Sequence, residues 1–402
     1  MRRAALRLKN CLRHGATALM LVTGLSGVLG VGGLAGCSGG GGGADPAPTW
    51  RETPLSPSSL PPVQVNVAGG AASWMYANVL QAAEGWVMPA TALSAEQAQA
   101  QATALAVRPD GWPAGLPEGV QLWLGSTGYP TGRDAQGTTW LHGVWVLTWE
   151  GSGQVELLTS ENNGQGETLL LDDRAHGRIV KLITTPRKHA SVFVRRSDPA
   201  DPVRAVRLWA PTHDGAGLDL TPASPLGRGQ ITASLEPAPG AAEPVFHPVF
   251  LAHLREIGGG VPLRMMSFLA INQDPSAWGS QPLDWSDRAD AAYALGSLSV
   301  MDAAWGRHPV SAYRQKLGVP YERLIDLANA TGNDLWIQVP HTATDGLIRG
   351  LARLILGKEG HPGLDAGRRV WFEFSNEIWN GYGPYLAQYR AAEQASVARF
   401  GE

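Results

Sequence analysis

This chain of 402 residues carries the segment Arg369-Arg-Val-Trp-Phe-Glu-Phe-Ser-Asn-Glu-Ile-Trp-Asn380. Aromatic and β-branched residues fill its first half and helix signals are absent, which predicts a strand over 369–375. The strand ends in the polar pair Asn376 and Glu377, which Trp379 follows. A carboxylate presented by the end of a strand, beside an amide and indole rings, is typical of a general acid for glycoside cleavage. A strand that merely stops at a polar turn is the alternative interpretation.

Strands alternate with amphipathic helices from residue 203 onward. The predicted strands are 204–209, 263–271, 334–340 and 370–375, and the predicted helices are 248–257, 321–330, 344–356 and 384–400. Repeated βα units imply parallel strands joined by right-handed crossovers. Arg264 and Glu373 lie within two of these strands. Because an unpaired charge there is costly, we predict a buried ion pair between neighbouring strands, which is structural and could also orient a site.

Polar side chains follow three successive strands of this predicted series. Asn272 follows the second strand, His341 the third, and Glu377 the fourth. The carboxyl ends of parallel strands meet at one edge of a sheet, where the active sites of such folds lie. Trp278 and Trp285, in the loop after the second strand, are interpreted either as the wall of a sugar subsite or as packing residues.

Three segments occur in a fixed order along the chain: LRMMSFLAINQ at 263–273, DLANATGNDLWIQVPH at 326–341 and FEFSNEIWN at 372–380. The third resembles the fourth barrel strand of clan A retaining glycoside hydrolases, and Glu373 occupies the place of a further glutamate often found there. The three together resemble an uncharacterised bacterial family of secreted, glycosidase-like or cellulose-binding proteins. This likeness covers the chain from about residue 203, and more faintly from Val63. It implies Glu377 as general acid/base, Asn376 on the 2-hydroxyl of a sugar, and substrate contacts from His341, Trp379, Asn272 and Trp278.

We therefore expect an α/β chain with a partial TIM-type (β/α) barrel of about four βα units over 203–402. A complete barrel needs eight strands, and the resemblance places a nucleophilic glutamate on the seventh, which no residue here matches. Retaining hydrolysis requires two carboxyl groups about 5–5.5 Å apart, and the nearby acids are Asp274, Asp345 and Glu373. We expect a barrel truncated after its fourth strand, as in a fragment of a longer enzyme, with open strand edges and poor solubility unless a second chain completes it.

Short strands separated by turn residues characterise 112–202. The predicted strands are 120–125, 138–149, 155–159, 168–172, 179–184 and 191–196. This spacing indicates an antiparallel β-sandwich, either N-terminal to the barrel or inserted into it. Trp140, Trp145 and Trp149 fit a sandwich core better than a sugar platform. The lead-in region 63–111 is predicted to hold a strand at 63–68, a helix near 74–83, and a helix or surface loop at 94–107.

The first 36 residues fit an export signal, with a basic head that spans Arg2 to Arg13 and an apolar run that ends at Gly36. Leu34-Ala-Gly-Cys37 fits a lipobox, which predicts a lipid on Cys37 and anchoring to a membrane surface. A transmembrane anchor is the alternative. Ser38 after the cysteine favours the outer membrane of a bacterial envelope. Residues 37–62 are rich in glycine and proline and predict a tether.

Charge and cysteine content limit the possible partners. Removing the five basic residues of the head leaves 27 basic against 35 acidic residues, a net charge of about −8. With no basic stripe, nucleic acid is excluded as a partner, whereas a neutral polysaccharide or oligosaccharide is compatible.

Cys11 and Cys37 are the two cysteines, so removal of the leader and lipidation leave no disulfide. The sequence does not indicate a protein partner.

No phosphate loop, dinucleotide fingerprint or cysteine metal site occurs in the sequence, so we expect no cofactor and no metal. His341 and Asp345 have helical spacing that suits a metal, but no third ligand is evident. Two functions follow from the sequence. The first is a surface-anchored glycoside hydrolase that uses acid/base catalysis, and the alternative is a non-catalytic carbohydrate-binding surface lipoprotein.

Overall fold

The structure is a computed structural model. It describes residues 65–66, 75–82, 86–89, 94–118, 120–125, 143–159, 166–183, 190–212, 234–265, 269, 283–289, 291–292, 307–309 and 319–401. All of these lie in one compact unit, 57–402. The leader, the tether and Cys37 lie outside the described residues, as do Trp140, Asn272, Asp274 and Trp278.

Thirteen strands and five α-helices occur in the described ranges. The strands are β1 (Val65–Asn66), β2 (Trp86–Pro89), β3 (Leu122–Gly125), β4 (Gly143–Glu150), β5 (Gly153–Thr159), β6 (Glu167–Asp173), β7 (Arg178–Ile183), β8 (Ala190–Ser197), β9 (Arg204–Trp209), β10 (Pro262–Arg264), β11 (Arg307–Pro309), β12 (Asp334–Val339) and β13 (Val370–Phe374). The helices are α1 (Ala95–Ala104), α2 (Pro248–Glu256), α3 (Tyr321–Thr331), α4 (Asp345–Ile355) and α5 (Leu386–Phe400). They confirm the predicted helices after residue 247 to within two residues and the helical alternative for 94–107.

The strands form three sheets. Two sheets are antiparallel, with the orders β11-β2-β3-β8-β5 and β6-β7-β4-β9. The third sheet is parallel, with the order β1-β10-β12-β13. The expected partial (β/α) barrel is therefore wrong, because nine of the 13 described strands belong to antiparallel sheets and the parallel strands form an open sheet of four.

The role of β9 shows why the barrel prediction failed. We predicted Arg204–Trp209 as the first parallel strand, but it pairs antiparallel with β4. Its residues Val206 and Leu208 are buried in the core of the antiparallel sheets. Alternation of apolar residues predicts a half-buried strand without indicating which sheet the strand joins. The first strand of the parallel sheet is instead β1, which precedes all the antiparallel strands in the chain.

One hydrophobic cluster lies between the two antiparallel sheets. Leu122, Val155 and Val192 contribute from one sheet, and Trp145 and Ile179 contribute from the other. The predicted strands of this region are confirmed to within a few residues where the structure describes them. The cluster also contains the buried Trp149, so the packing interpretation of these two tryptophans is confirmed.

A second cluster covers one face of the parallel sheet at β10 and β12, whereas Phe372 and Phe374 on the same face of β13 are exposed. Leu263 and Ile337 of the sheet pack with Leu324 of α3 and Leu351 of α4. Helix α3 ends at Gly332, whose φ of +73° is readily adopted by glycine. Helix α4 begins at Thr344, whose hydroxyl accepts a hydrogen bond from the Leu347 backbone N–H at 3.2 Å. The helices therefore lie on one face of the sheet. The other face, which we call the polar face, carries Arg264, Gln338 and Glu373 together with the indole rings of Trp336 and Trp371.

Segment 283–289 packs against α4. A β-carbon at Gly350 would overlap the ring of Trp285, so glycine allows this close approach. The Trp285 ring stacks on Tyr321 with 6.5 Å between the centroids, and the Arg288 guanidinium lies 3.9 Å from its centroid. The Thr344 hydroxyl donates to Asp284 at 2.7 Å and lowers the pKa of that carboxyl. For Trp285, packing is thus the interpretation that the structure supports.

Candidate functional site

The chain turns sharply at the carboxyl end of β13. Ser375 and Glu377, on either side of Asn376, have φ angles of +53° and +46°. The described part of the chain has three non-glycine residues with positive φ, and these are two of them. Such backbone conformations cost about 1–3 kcal/mol each and cluster at functional sites. The backbone N–H of Ser375 donates to the Val339 carbonyl at 2.7 Å, so the turn begins directly at the sheet.

Arg264 and Glu373 form the predicted ion pair on the polar face of the parallel sheet. Arg264 Nε donates to one carboxylate oxygen of Glu373 at 2.8 Å and Nη2 donates to the other at 2.6 Å. The two side chains are 20% and 26% exposed. The pairing is confirmed, but the strands are not neighbours as we expected, because β12 lies between β10 and β13.

The carboxylate of Glu373 is occupied by protein donors. Besides Arg264, it accepts hydrogen bonds from Trp336 Nε1 at 2.9 Å and from Gln338 Nε2 at 2.7 Å, both on β12. Oε2 accepts three of these hydrogen bonds, from Arg264, Trp336 and Gln338, and Oε1 accepts one, from Arg264. Glu373 therefore serves as a structural acceptor that ties β13 to β10 and β12.

Asn376 is the buried residue at the start of this turn. Its side-chain oxygen accepts a hydrogen bond from Arg264 Nη2 at 2.8 Å, and the residue is only 1% exposed. The neighbouring Ser375 hydroxyl donates to Gln388 of α5. Sheet and helix thus both hold this turn. The predicted contact of Asn376 with a sugar hydroxyl is not supported by its burial, so we assign Asn376 a positioning role.

Glu377 lies in a turn that also carries two exposed aromatic residues. Asn380 Nδ2 donates to this carboxylate at 3.0 Å, and the Asn380 backbone N–H donates to the Glu377 carbonyl at 2.8 Å. Trp379 is 75% exposed and Tyr382 is 84% exposed. We name residues 376–382 the acid turn. Sequence reasoning missed Asn380 and Tyr382 as members of the site, although the spacing of an amide three residues after the acid is a signal for the first.

Other residues predicted for the site lie at the same edge of the sheet or outside the described ranges. His341 is partly buried two residues beyond the end of β12, the strand next to β13. Asn272 and Trp278 fall outside the described residues, so their predictions stay untested. Asp345 forms an exposed ion pair with Arg349 at 3.1 Å. Within the described part of the chain, no three His, Cys, Asp or Glu side chains are grouped in a way that could hold a metal ion.

Comparison with protein-family models, with curated proteins and with solved structures found no match for this chain. None of the helices in the described ranges combines the length and apolar character that a membrane crossing demands.

Proposed function

We propose that this chain binds a neutral glycan at the acid turn. The observation that carries the proposal is the pair of left-handed residues, Ser375 and Glu377, at the start of a turn that also carries the exposed rings of Trp379 and Tyr382. Exposed indole and phenol rings offer apolar faces to the C–H faces of sugar rings. The Glu377 carboxylate accepts hydrogen bonds from hydroxyl groups, and the net negative charge of the chain disfavours polyanions.

Binding without cleavage fits the described contacts better than hydrolysis. Retaining hydrolysis requires a second carboxyl group about 5–5.5 Å from the first. Glu373, on β13, is the acid nearest in sequence to Glu377, and its oxygens accept hydrogen bonds from Arg264, Trp336 and Gln338. A glycoside hydrolase with Glu377 as general acid is the second candidate function. It is favoured by the strained presentation of a single hydrogen-bonded carboxylate.

Replacing Trp379 with alanine is expected to weaken oligosaccharide binding by about fivefold or more, because a stacked aromatic ring contributes about 1 kcal/mol beyond its buried area. Isothermal titration of the chain with cellohexaose, xylohexaose and chitohexaose measures this change. Phe400→Ala is the matched control, since Phe400 is an exposed aromatic residue at the end of α5 and 72% exposed. An unchanged dissociation constant in Trp379→Ala, or no binding of any of the three sugars, would refute the proposal.

Replacing Glu377 with glutamine separates the two candidate functions. Glutamine keeps the shape and an acceptor oxygen, so we expect affinity for the same hexasaccharides to change by no more than about threefold. A binding protein releases no reducing ends either as wild type or as this variant. Release of reducing ends by the wild type that stops in Glu377→Gln would instead establish the hydrolase.

A further inference from the structure

A polar groove lies on the five-stranded antiparallel sheet, apart from the acid turn. Its volume is about 770 Å³, within the range of small-molecule sites. Residues 116–118 and 197–199 line it together, and the two segments are joined by a hydrogen bond from the Leu116 backbone N–H to the Ser197 carbonyl at 3.3 Å. Glu156 of β5 and Arg195 of β8 line the groove, on the face of the sheet opposite to the buried Val155 and Val194. We name this feature the sheet groove.

The polar side chains of the sheet groove hold one another in place. Arg195 Nε donates to Glu156 at 2.9 Å, and Gln154 Nε2 donates to the other carboxylate oxygen of Glu156 at 3.1 Å. Arg195 Nη1 donates to Gln121. The Arg195 guanidinium also lies 4.3 Å from the centroid of the Phe193 ring. These hydrogen bonds fix the positions of the Arg195, Glu156 and Gln154 side chains in the absence of a ligand. Such preorganisation lowers the entropic cost of binding.

The chemistry of the lining suits a ligand with many hydroxyl groups. A guanidinium offers five N–H donors, a carboxylate offers only acceptors, and a glutamine amide offers both, so donors and acceptors alternate across the sheet groove. Three carboxylates and two guanidinium groups line it, from Glu118, Glu156, Asp198, Arg195 and Arg196. This near balance of charge favours neither an anion nor a cation. Leu116, Pro117 and Pro199 supply apolar contacts at the sides.

We propose that the sheet groove is a second binding site of this chain and takes a neutral oligosaccharide. The inference rests on the proposed function only for the class of ligand, because the groove and the acid turn share no residue. Two separate sites on one chain would let it hold a polysaccharide at two points and gain affinity by avidity.

Titration of the full chain with cellohexaose, xylohexaose and chitohexaose tests the inference. We expect two molecules of one of these sugars to bind per chain. Arg195→Ala is expected to weaken one of the two sites by at least about tenfold, because it removes charge-assisted hydrogen bonds. Gln154→Ala, a change of an exposed side chain that leaves the core intact, is expected to weaken the same site by a smaller factor. Arg174→Ala is the matched control, since Arg174 lies in the turn between β6 and β7 of the other antiparallel sheet and forms an exposed ion pair there.

The outcomes distinguish the two proposals. In one outcome, a single sugar molecule binds per chain, Trp379→Ala weakens its binding, and Arg195→Ala and Gln154→Ala leave its binding unchanged. The sheet groove is then a solvated sheet face only, and the inference is overturned. If one sugar binds and only the sheet groove variants weaken it, the inference stands and the acid turn proposal fails. Binding of none of the three sugars overturns both.

Discussion

Replacing Arg264 with alanine is expected to lower the free energy of unfolding by about 3 kcal/mol. The substitution leaves the Glu373 carboxylate on the sheet face without its charged partner, and it also removes the donor to Asn376. Loss of one member of a fully buried pair costs about 3–5 kcal/mol. The partial exposure of both side chains here, 20% and 26%, places the expected value at the lower end. Urea unfolding followed by tryptophan fluorescence measures the change.

Two further variants separate geometry from charge in this cluster. Arg264→Lys keeps the charge but cannot bind both carboxylate oxygens and Asn376 in one plane, so we expect an intermediate loss. Arg349→Ala removes an exposed ion pair, whose side chains are 78% and 85% exposed, and we expect a loss below about 0.5 kcal/mol. Equal losses in Arg264→Ala and Arg349→Ala would show that the cluster does not stabilise the sheet.

Acidification is expected to destabilise the fold through His247, the residue that precedes α2. Its Nδ1 accepts a hydrogen bond from the Val249 backbone N–H at 3.3 Å, its ring donates to the Pro211 carbonyl, and it is 5% exposed. Burial lowers the pKa of His247 to about 4. A protonated ring carries a hydrogen on Nδ1 and cannot accept the bond from Val249. The neutral ring is therefore the form that the folded chain requires.

The sign of the pH effect follows from the two pKa values of His247. The ordinary value is 6.5 and the folded value is about 4, so the unfolded chain binds more protons between these limits. The contribution to stability is complete above pH 6.5 and falls by about 3 kcal/mol as the pH decreases to about 4. Urea unfolding across this window measures the loss. His247→Asn keeps a side-chain cap without a titrating ring, and we expect its stability to vary less with pH. Identical pH dependence in both proteins would contradict the assignment.

Periodicity in the sequence was sufficient to predict most of the long elements. The antiparallel strands between 143 and 197 and the helices after residue 247 show apolar alternation or a 3.6-residue pattern that local sequence reveals. Strands β1, β10 and β11 have two or three residues and thus no measurable period. The repeated βα units predicted the parallel arrangement of β10, β12 and β13, and this arrangement is confirmed. The membership of β1 in this sheet and the separation of β9 from it depend on distant partners and could not be predicted.

The sequence indicated where the chain turns from strand to polar residues, but it did not indicate the contacts made there. The position of Asn376 and Glu377 at a strand end follows from the change from apolar to polar residues, and the Arg264–Glu373 pair follows from the cost of an isolated charge in a strand. The hydrogen bonds from Trp336 and Gln338 to Glu373 depend on the register of β12 against β13. Because this register depends on tertiary pairing, the sequence could not show that the Glu373 carboxylate is held by hydrogen bonds from the neighbouring strand.

The place of β1 in the parallel sheet constrains the order in which this chain acquires its structure on the ribosome. Val65 pairs with Leu263, so about 200 residues must be synthesised before β1 meets its partner. The sheet formed by β6, β7, β4 and β9 needs nothing beyond Trp209. Contacts between distant segments form late, because the entropy of closing a long loop opposes them. While about fifty residues between Trp209 and Pro262 are synthesised, all strands of that sheet are therefore present, but the partner strand of β1 is not.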